Sequence, residues 1–279
     1  MRNNQDRLTS NQLHTQDSDV EAVRSPFNYV VPTQLVDLPS KGAYYPPEHP
    51  LHGKESAEIK EMTAREEDIL YNKSFLEKGI VMDRLLQSIL VDKRIDPTSL
   101  LVIDKNALLL AARISGYGPE YPIKAECSSC GSSFDTEVDL STLLKIKEPE
   151  LKEGCRLLEN GLVEVVLPVT KWKIEVKPLD GYEQEKLQKI LEGRKKHKLE
   201  ENTLIETAKT FIYSINGVSE ENIIYQAIMS MPARDSKFLR NVYAECFPNI
   251  TTNTVVTCTV CQNETDMEVP FNVNFFWSK

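Results

Sequence analysis

Long apolar runs are missing from this chain. No stretch approaches the roughly 20 apolar residues that span a bilayer, and the opening MRNNQDRLTSNQLHTQDSDVEAV has no apolar segment of the kind a secretory signal needs. Neither a membrane span nor signal-peptide export is expected. An excess of basic residues is missing too: 33 Lys and Arg stand against 42 Asp and Glu, a formal net charge of -9, which gives no overall attraction to nucleic acid or to anionic membranes. Protein partners are favoured. Histidine is scarce, and His14, His49, His52 and His197 fall in polar, proline-rich or highly charged text with no obvious carboxylate or nucleophile beside them. No P-loop or Rossmann glycine fingerprint occurs, and Gly116 and Gly118 read as the end of a helix. No enzyme is expected. Six cysteines among 279 residues are too sparse for a disulfide scaffold, and a reducing cytoplasm fits them best.

Hydrophobic residues at 41% and charged residues at 27% are ordinary for a folded globular chain. Residues 1–26 are polar and without periodicity, and read as a flexible tail. From Phe27 to Gly53 the prolines at 32, 39, 46, 47 and 50 favour extended backbone that wraps a surface. Beyond it, EIKEMTAREEDIL predicts a strand at Ile59 feeding a helix capped by Thr63, with Glu66 at the capping-box position. EVKPLDGYEQEKL repeats that grammar with Val176, Leu179, Asp180, Glu183 and Leu187, at an offset of 180 minus 63, or 117.

Each unit then passes through helical text to a cysteine pair, Cys127 and Cys130 in the first and Cys258 and Cys261 in the second, at an offset of 258 minus 127, or 131. The 14 extra residues are assigned to the charged run Glu192 to Asn202. The fold class expected is α+β, in two related halves of residues 27–150 and 151–279. Each half runs strand, helices, strand, cysteine knuckle, strand.

Two C-x-x-C turns are the most specific chemical signal, because this spacing aims two thiolates at one metal while backbone amides donate to the sulfurs. Cys127, Cys130, Cys258 and Cys261 make up one tetrahedral four-cysteine site, with one structural zinc per chain expected and joining the halves. Iron-sulfur ligation is less favoured, and a redox dithiol calls for a helix N-terminus that neither pair has. Cys155 and Cys246 read as buried free thiols. His49 and His52 could assist a metal but suit a surface role better. Glu66, Glu67 and Asp68 read as solvated charges in a first helical turn. Arg194, Lys195, Lys196 and Lys198 read as a solvated helix face, and Arg234 and Asp235 as ion-pairing or capping groups.

Taken together, LPSKGAYYPP, EMTAREEDIL, LLLAARISGYG, the C-x-x-C-G, MPARDSKFLRNVYAECFPNI, CTVC and the ending NFFW resemble the baseplate hub family of T-even-like contractile-tailed bacteriophages, from about Leu38 to Trp277. The resemblance implies a structural or assembly protein, made in the host cytoplasm and built into the tail baseplate of the virion. Its partners would be other baseplate, tail tube or tape-measure proteins, and no catalytic residues carry over. Phe275, Phe276 and Trp277 put three aromatics at the chain end, either to dock in the chain's own core or to bind a hub partner. The competing reading is a zinc-bearing nucleic-acid-binding module, against which the acidic balance speaks. A metal hydrolase ranks last, since four thiolates close the coordination sphere.

Overall fold

Inside the proline-rich stretch, residues 33–37 carry no proline, and there the backbone is free to pair. They form β1 (Thr33–Asp37), antiparallel to β2 (Ser56–Lys60), in a computed structural model that describes residues 30–197, 202–269 and 273–276. The expected tail at residues 1–26, Lys198 and Trp277 lie outside the described residues. The rest of the stretch is the long loop of this hairpin, shut where the Leu38 amide donates to the Glu55 carbonyl at 2.8 Å. It folds back on its own body, burying Leu38, Tyr45 and Leu51. Gly42 permits this at φ +71, since a Cβ there would lie 2.4 Å from both the Leu51 oxygen and the Lys54 nitrogen.

Thr63 caps α1 (Ala64–Leu70) with the full capping box to Glu66. The helices α2 (Lys73–Glu77) and α3 (Val81–Ile89) follow, and the chain leaving α3 returns to β2 through the Ile59–Leu90 bridge. A turn at Pro97–Ser99 leads into α4 (Val102–Tyr117) and then the hairpin of β3 (Glu120–Glu126) and β4 (Ser133–Asp139), whose tip holds the first cysteine pair. A short β5 (Ile146–Lys147) ends this part.

The chain then builds a four-stranded antiparallel sheet in the order β6 (Cys155–Leu157), β7 (Val163–Val166), β8 (Lys173–Val176) and β9 (Ile212–Ile215). Between β8 and β9 lie α5 (Gly181–Lys196), capped by Asp180, and α6 (Thr203–Phe211). After β9 come α7 (Glu221–Ser230) and α8 (Ala233–Tyr243), then β10 (Asn249–Ile250) paired with β5. The hairpin of β11 (Asn253–Thr257) and β12 (Glu264–Glu268) carries the second cysteine pair, and a helical turn at Val273–Phe276 follows. Helices and small antiparallel sheets make this an α+β fold, as the sequence suggests.

Two apolar cores result. One lies among β1, β2, α1, α3, α4, β3 and β4 and also takes in Ile250, Val256, Val269, Phe275 and Phe276 from the end of the chain. The other lies among β7, β8, β9, α6, α7 and α8. A buried aspartate pins a hairpin onto a helix in each. Asp104, in the first turn of α4, accepts from the Ser40 amide at 2.9 Å, the Ser40 hydroxyl at 2.6 Å and the Tyr45 hydroxyl at 2.8 Å. Asp235, in the first turn of α8, accepts from the Val169 amide at 2.8 Å, the Thr170 amide at 2.9 Å and the Thr170 hydroxyl at 2.8 Å. Both are fully buried. Asp235 is thus neither a surface ion pair nor a cap of its own helix, because its carboxylate is spent on another element's turn.

A second buried acid also departs from expectation. Glu66 is 0% exposed rather than solvated, held by the Thr63 and Ser88 hydroxyls and 3.4 Å from the Lys60 ammonium. Its counterpart by sequence, Glu183, faces Lys177 at 3.0 Å.

These acids can be tested by substitution. Asp104→Ala and Asp235→Ala should each lower stability by about 3–5 kcal/mol, because three buried donors lose their acceptor; urea denaturation midpoints measure it. For Glu66, burial alone would raise the carboxyl, but hydrogen bonds from Ser88 and Thr63 and the Lys60 charge outweigh it and hold it at about 2, below its ordinary 4.5. A depressed carboxylate stabilises the fold above its unfolded value and loses that contribution as pH falls through the folded one. Glu66→Gln should therefore cost up to about 3 kcal/mol at neutral pH. The deficit against the parent should shrink between about pH 4.5 and about pH 2 in denaturation series.

Candidate metal centre

The two hairpins that carry the cysteine pairs alternate apolar and polar residues, so one face of each packs down and the tips are left to meet. At the first tip the Cys127 amide donates to the Ser132 carbonyl and the Gly131 amide donates to the Cys127 carbonyl, with Gly131 at φ +69. At the second, the Cys258 amide donates to the Asn263 carbonyl and the Gln262 amide to the Cys258 carbonyl, with Gln262 at φ +61. The amides of Ser129 and Val260 each donate to the preceding buried sulfur, Cys127 or Cys258, at 3.4 Å. These contacts of the first tip recur at the second, at the same offset as the cysteines themselves.

The sulfurs of Cys127, Cys130, Cys258 and Cys261 all lie within 4.8 Å of one another. Cys127 and Cys261 are 3.5 Å apart, and Cys130 and Cys258 are 3.8 Å apart. Four sulfurs at about 2.3 Å from a central ion in a tetrahedron stand about 3.8 Å from one another, so the cluster fits one metal ion. Backbone amides of Cys130 and Ser129 hold the Cys127 thiol down to about 6, and amide donation of this kind favours the thiolate that a metal requires. Cys261 has the Asn263 amide pulling it down, yet the neighbouring sulfurs push it up to about 12. Four sulfurs this close ionise together only around a cation. Cys127 and Cys258 are buried while Cys130 and Cys261 are exposed, so the cluster lies at the surface with its inner pair seated in the core.

Thr265, on β12, carries no signal in the sequence. Its hydroxyl lies 3.9 Å from the Cys127 sulfur and accepts from the Ser128 amide at 3.4 Å, which ties one hairpin to the tip of the other. Its buried place opposite Val256 in the β11–β12 register depends on how the hairpins cross, which no spacing reveals.

No histidine joins the cluster among the described residues. His49 stacks on Tyr45 and accepts from the Leu51 amide at Nδ1, which leaves the proton on Nε2 to be given to the Ser99 hydroxyl at 2.8 Å. Ser99 passes its own proton to the Asp96 carbonyl at 2.7 Å. This arrangement satisfies both side chains and provides no base for a nucleophilic serine. Cys155 and Cys246 stand apart as free thiols, and burial pushes Cys246 up to about 12.

Phe275 and Phe276 pack inward. They are 1% and 5% exposed, with Phe275 5.3 Å from the Tyr121 ring and its carbonyl accepting from Arg113 Nε at 3.3 Å. Buried this way, the two rings close the core beside the first hairpin. Phe275→Ala should cost about 3–5 kcal/mol, read as a fall in the thermal midpoint of the isolated protein; an unchanged midpoint would contradict the packing.

The fold and site together define an α+β protein closed by a surface four-cysteine cluster, and among the described residues no helix is long and apolar enough to cross a membrane. The chain belongs to the T4 bacteriophage base plate protein family, whose model matches residues 34–277. Membership places it among the structural proteins of a phage baseplate. No match is found among curated proteins or among solved structures.

Proposed function

We propose that the protein is a non-enzymatic structural or assembly component of the baseplate hub in a contractile phage tail, working by binding other baseplate, tail tube or tape-measure proteins. The observation that carries this reading is the family match across residues 34–277. Cys127, Cys130, Cys258 and Cys261 hold one structural zinc ion. Their spacing suits a single ion rather than an iron-sulfur cluster, whose several irons set cysteines further apart, and four thiolates leave no open position for catalysis. Bound zinc supplies a cross-link between the hairpins, and the amides of Ser129 and Val260 steady the sulfurs.

The body consists of two related halves, residues 27–150 and 151–279. Support comes from interactions that repeat in order: Lys60 with Glu66 and Lys177 with Glu183, Asp104 with Ser40 and Asp235 with Thr170, and the paired knuckles. Lys41 and Lys171, each next after the clamped hydroxyl residue, share a left-handed backbone at φ 49 and φ 59. The 14 extra residues divide between two places. The return to the sheet comes at Leu90 and at Ile212, an offset of 122, so five residues enter before it and nine after it, where α7 is added.

Elemental analysis of purified protein should find about one zinc per chain. Cys258→Ser should lose the metal and lower the thermal midpoint together, while the parent protein co-purifies with other baseplate proteins from infected cells. Metal-free protein with an equally stable variant would overturn the zinc, and absence of every baseplate protein from the purified complex would overturn the hub role.

A further inference from the structure

An open cleft of about 510 Å³ lies beside β2, α1 and α3, walled by Lys60, Arg65, Arg84 and Lys93 and floored by Ile69 and Phe75. On a chain of net charge -9, four cations around one hollow stand out. The nearby carboxylate, Glu66, is wholly buried and engaged by Thr63, Ser88 and Lys60. Lys93 gives two hydrogen bonds to the carbonyls that end α3, at 2.9 and 3.0 Å, and Arg84 bonds Gln87 at 2.9 Å while its guanidinium lies 5.7 Å from the centre of the Phe75 ring. Lys60 pairs with Glu66 in this wall, whereas none of Arg65, Arg84 and Lys93 forms an ion pair among the described residues. Crowding registers on Lys93, which partial burial and then the Lys60 charge push below its ordinary value.

The other half shows what this place looks like when the chain supplies its own anions. Counting back from the return residues Leu90 and Ile212, Arg84 corresponds to Glu206 and Gln87 to Lys209. There Glu206 takes Arg194 at 2.8 Å and Lys209 at 3.5 Å, and Glu221 takes Lys209 at 3.4 Å and Lys186 at 3.9 Å. In the first half a cation occupies the position of the buried acid, and Arg65, Arg84 and Lys93 have no ion-pair carboxylate among the described residues.

We propose that the cleft docks an acidic segment of a partner protein, its carboxylates on Arg65, Arg84 and Lys93 and an apolar side chain on Ile69 and Phe75. This deepens the protein-binding reading and rests on it. A protein segment fits better than nucleic acid, because the acidic body, at a net charge of -9, repels a long polyanion.

The test uses the full-length protein and a fluorescein-labelled peptide, Glu-Glu-Leu-Glu-Glu-Leu-Glu, at low ionic strength where screening is weak, with anisotropy as the readout. The parent should bind it and not the peptide with Gln in place of Glu. Arg65→Glu with Arg84→Glu should weaken binding at least about tenfold with an unchanged thermal midpoint, since both side chains are exposed. Lys237→Glu, exposed on α8, should bind like the parent. No binding by the parent, equal loss in Lys237→Glu, or tighter binding of an oligothymidylate of equal charge would overturn the proposal. Parent protein that still co-purifies with baseplate proteins while ignoring the peptide overturns the cleft alone. Peptide binding without baseplate partners overturns the hub role and leaves the cleft.

Discussion

Four sulfurs within 4.8 Å of one another bring Cys127 beside Cys261, and the proposed ion would make a closed loop of everything between them. Each of the two hairpins that meet there is a two-stranded sheet, a unit that is marginal on its own in water. One face of each is buried and its inner cysteine is seated in the core, so the tips are the free ends that most need a restraint. With the tips side by side the β11–β12 hairpin lies against the first core, where Val256, Val269, Phe275 and Phe276 join residues from far earlier in the chain. The cost of closing so long a loop grows only slowly with its length, which makes a distant pair of knuckles as practicable as a near one.

The buried aspartates answer a different difficulty. A hairpin loop that turns inward leaves amides with no strand to pair with, and a buried amide without an acceptor is costly. Asp104 and Asp235 project from first helical turns, where the helix dipole favours a carboxylate, and gather those amides with a neighbouring hydroxyl. Packing of hairpin on helix therefore uses an acid at one position and a Ser or Thr at another, supplied by Asp104 with Ser40 and by Asp235 with Thr170. Asp104 is nonetheless pushed up by its burial, a sign that desolvation there is only partly offset by its three donors.

The parts legible in the sequence are those with local signatures. Thr63 and Asp180 cap helices where the capping pattern puts them, and the C-x-x-C spacing leads to the four sulfurs. What escapes is set by contacts distant in sequence. Glu66 reads as one of three solvated acids in a row, and only the Ser88 hydroxyl arriving from α3 makes it buried. Asp235 reads as a surface acid, though the cysteine offset of 131, applied to it, lands on Asp104 and marks both. Phe275 and Phe276 face inward because the gap they fill is formed by Tyr121 and Arg113, from elements far back in the chain.

The proposed duplication separates interactions that occur twice from those that occur once. The aspartate clamps, the Lys–Glu pairs at Lys60 and Lys177 and the amide-to-sulfur bonds each occur twice, and each holds a hairpin, a helix or a knuckle. The walls beside α3 and α6 differ: buried Glu206 pairs with Arg194 and Lys209 at α6, while Arg84 stands exposed on α3. An exposed charge contributes little to stability, so the fold does not ask for arginine there. Its neighbours Arg65 and Lys93 raise the local field without relieving it. The acidic segment proposed as the cleft's ligand would supply the carboxylates that this concentration of like charge lacks.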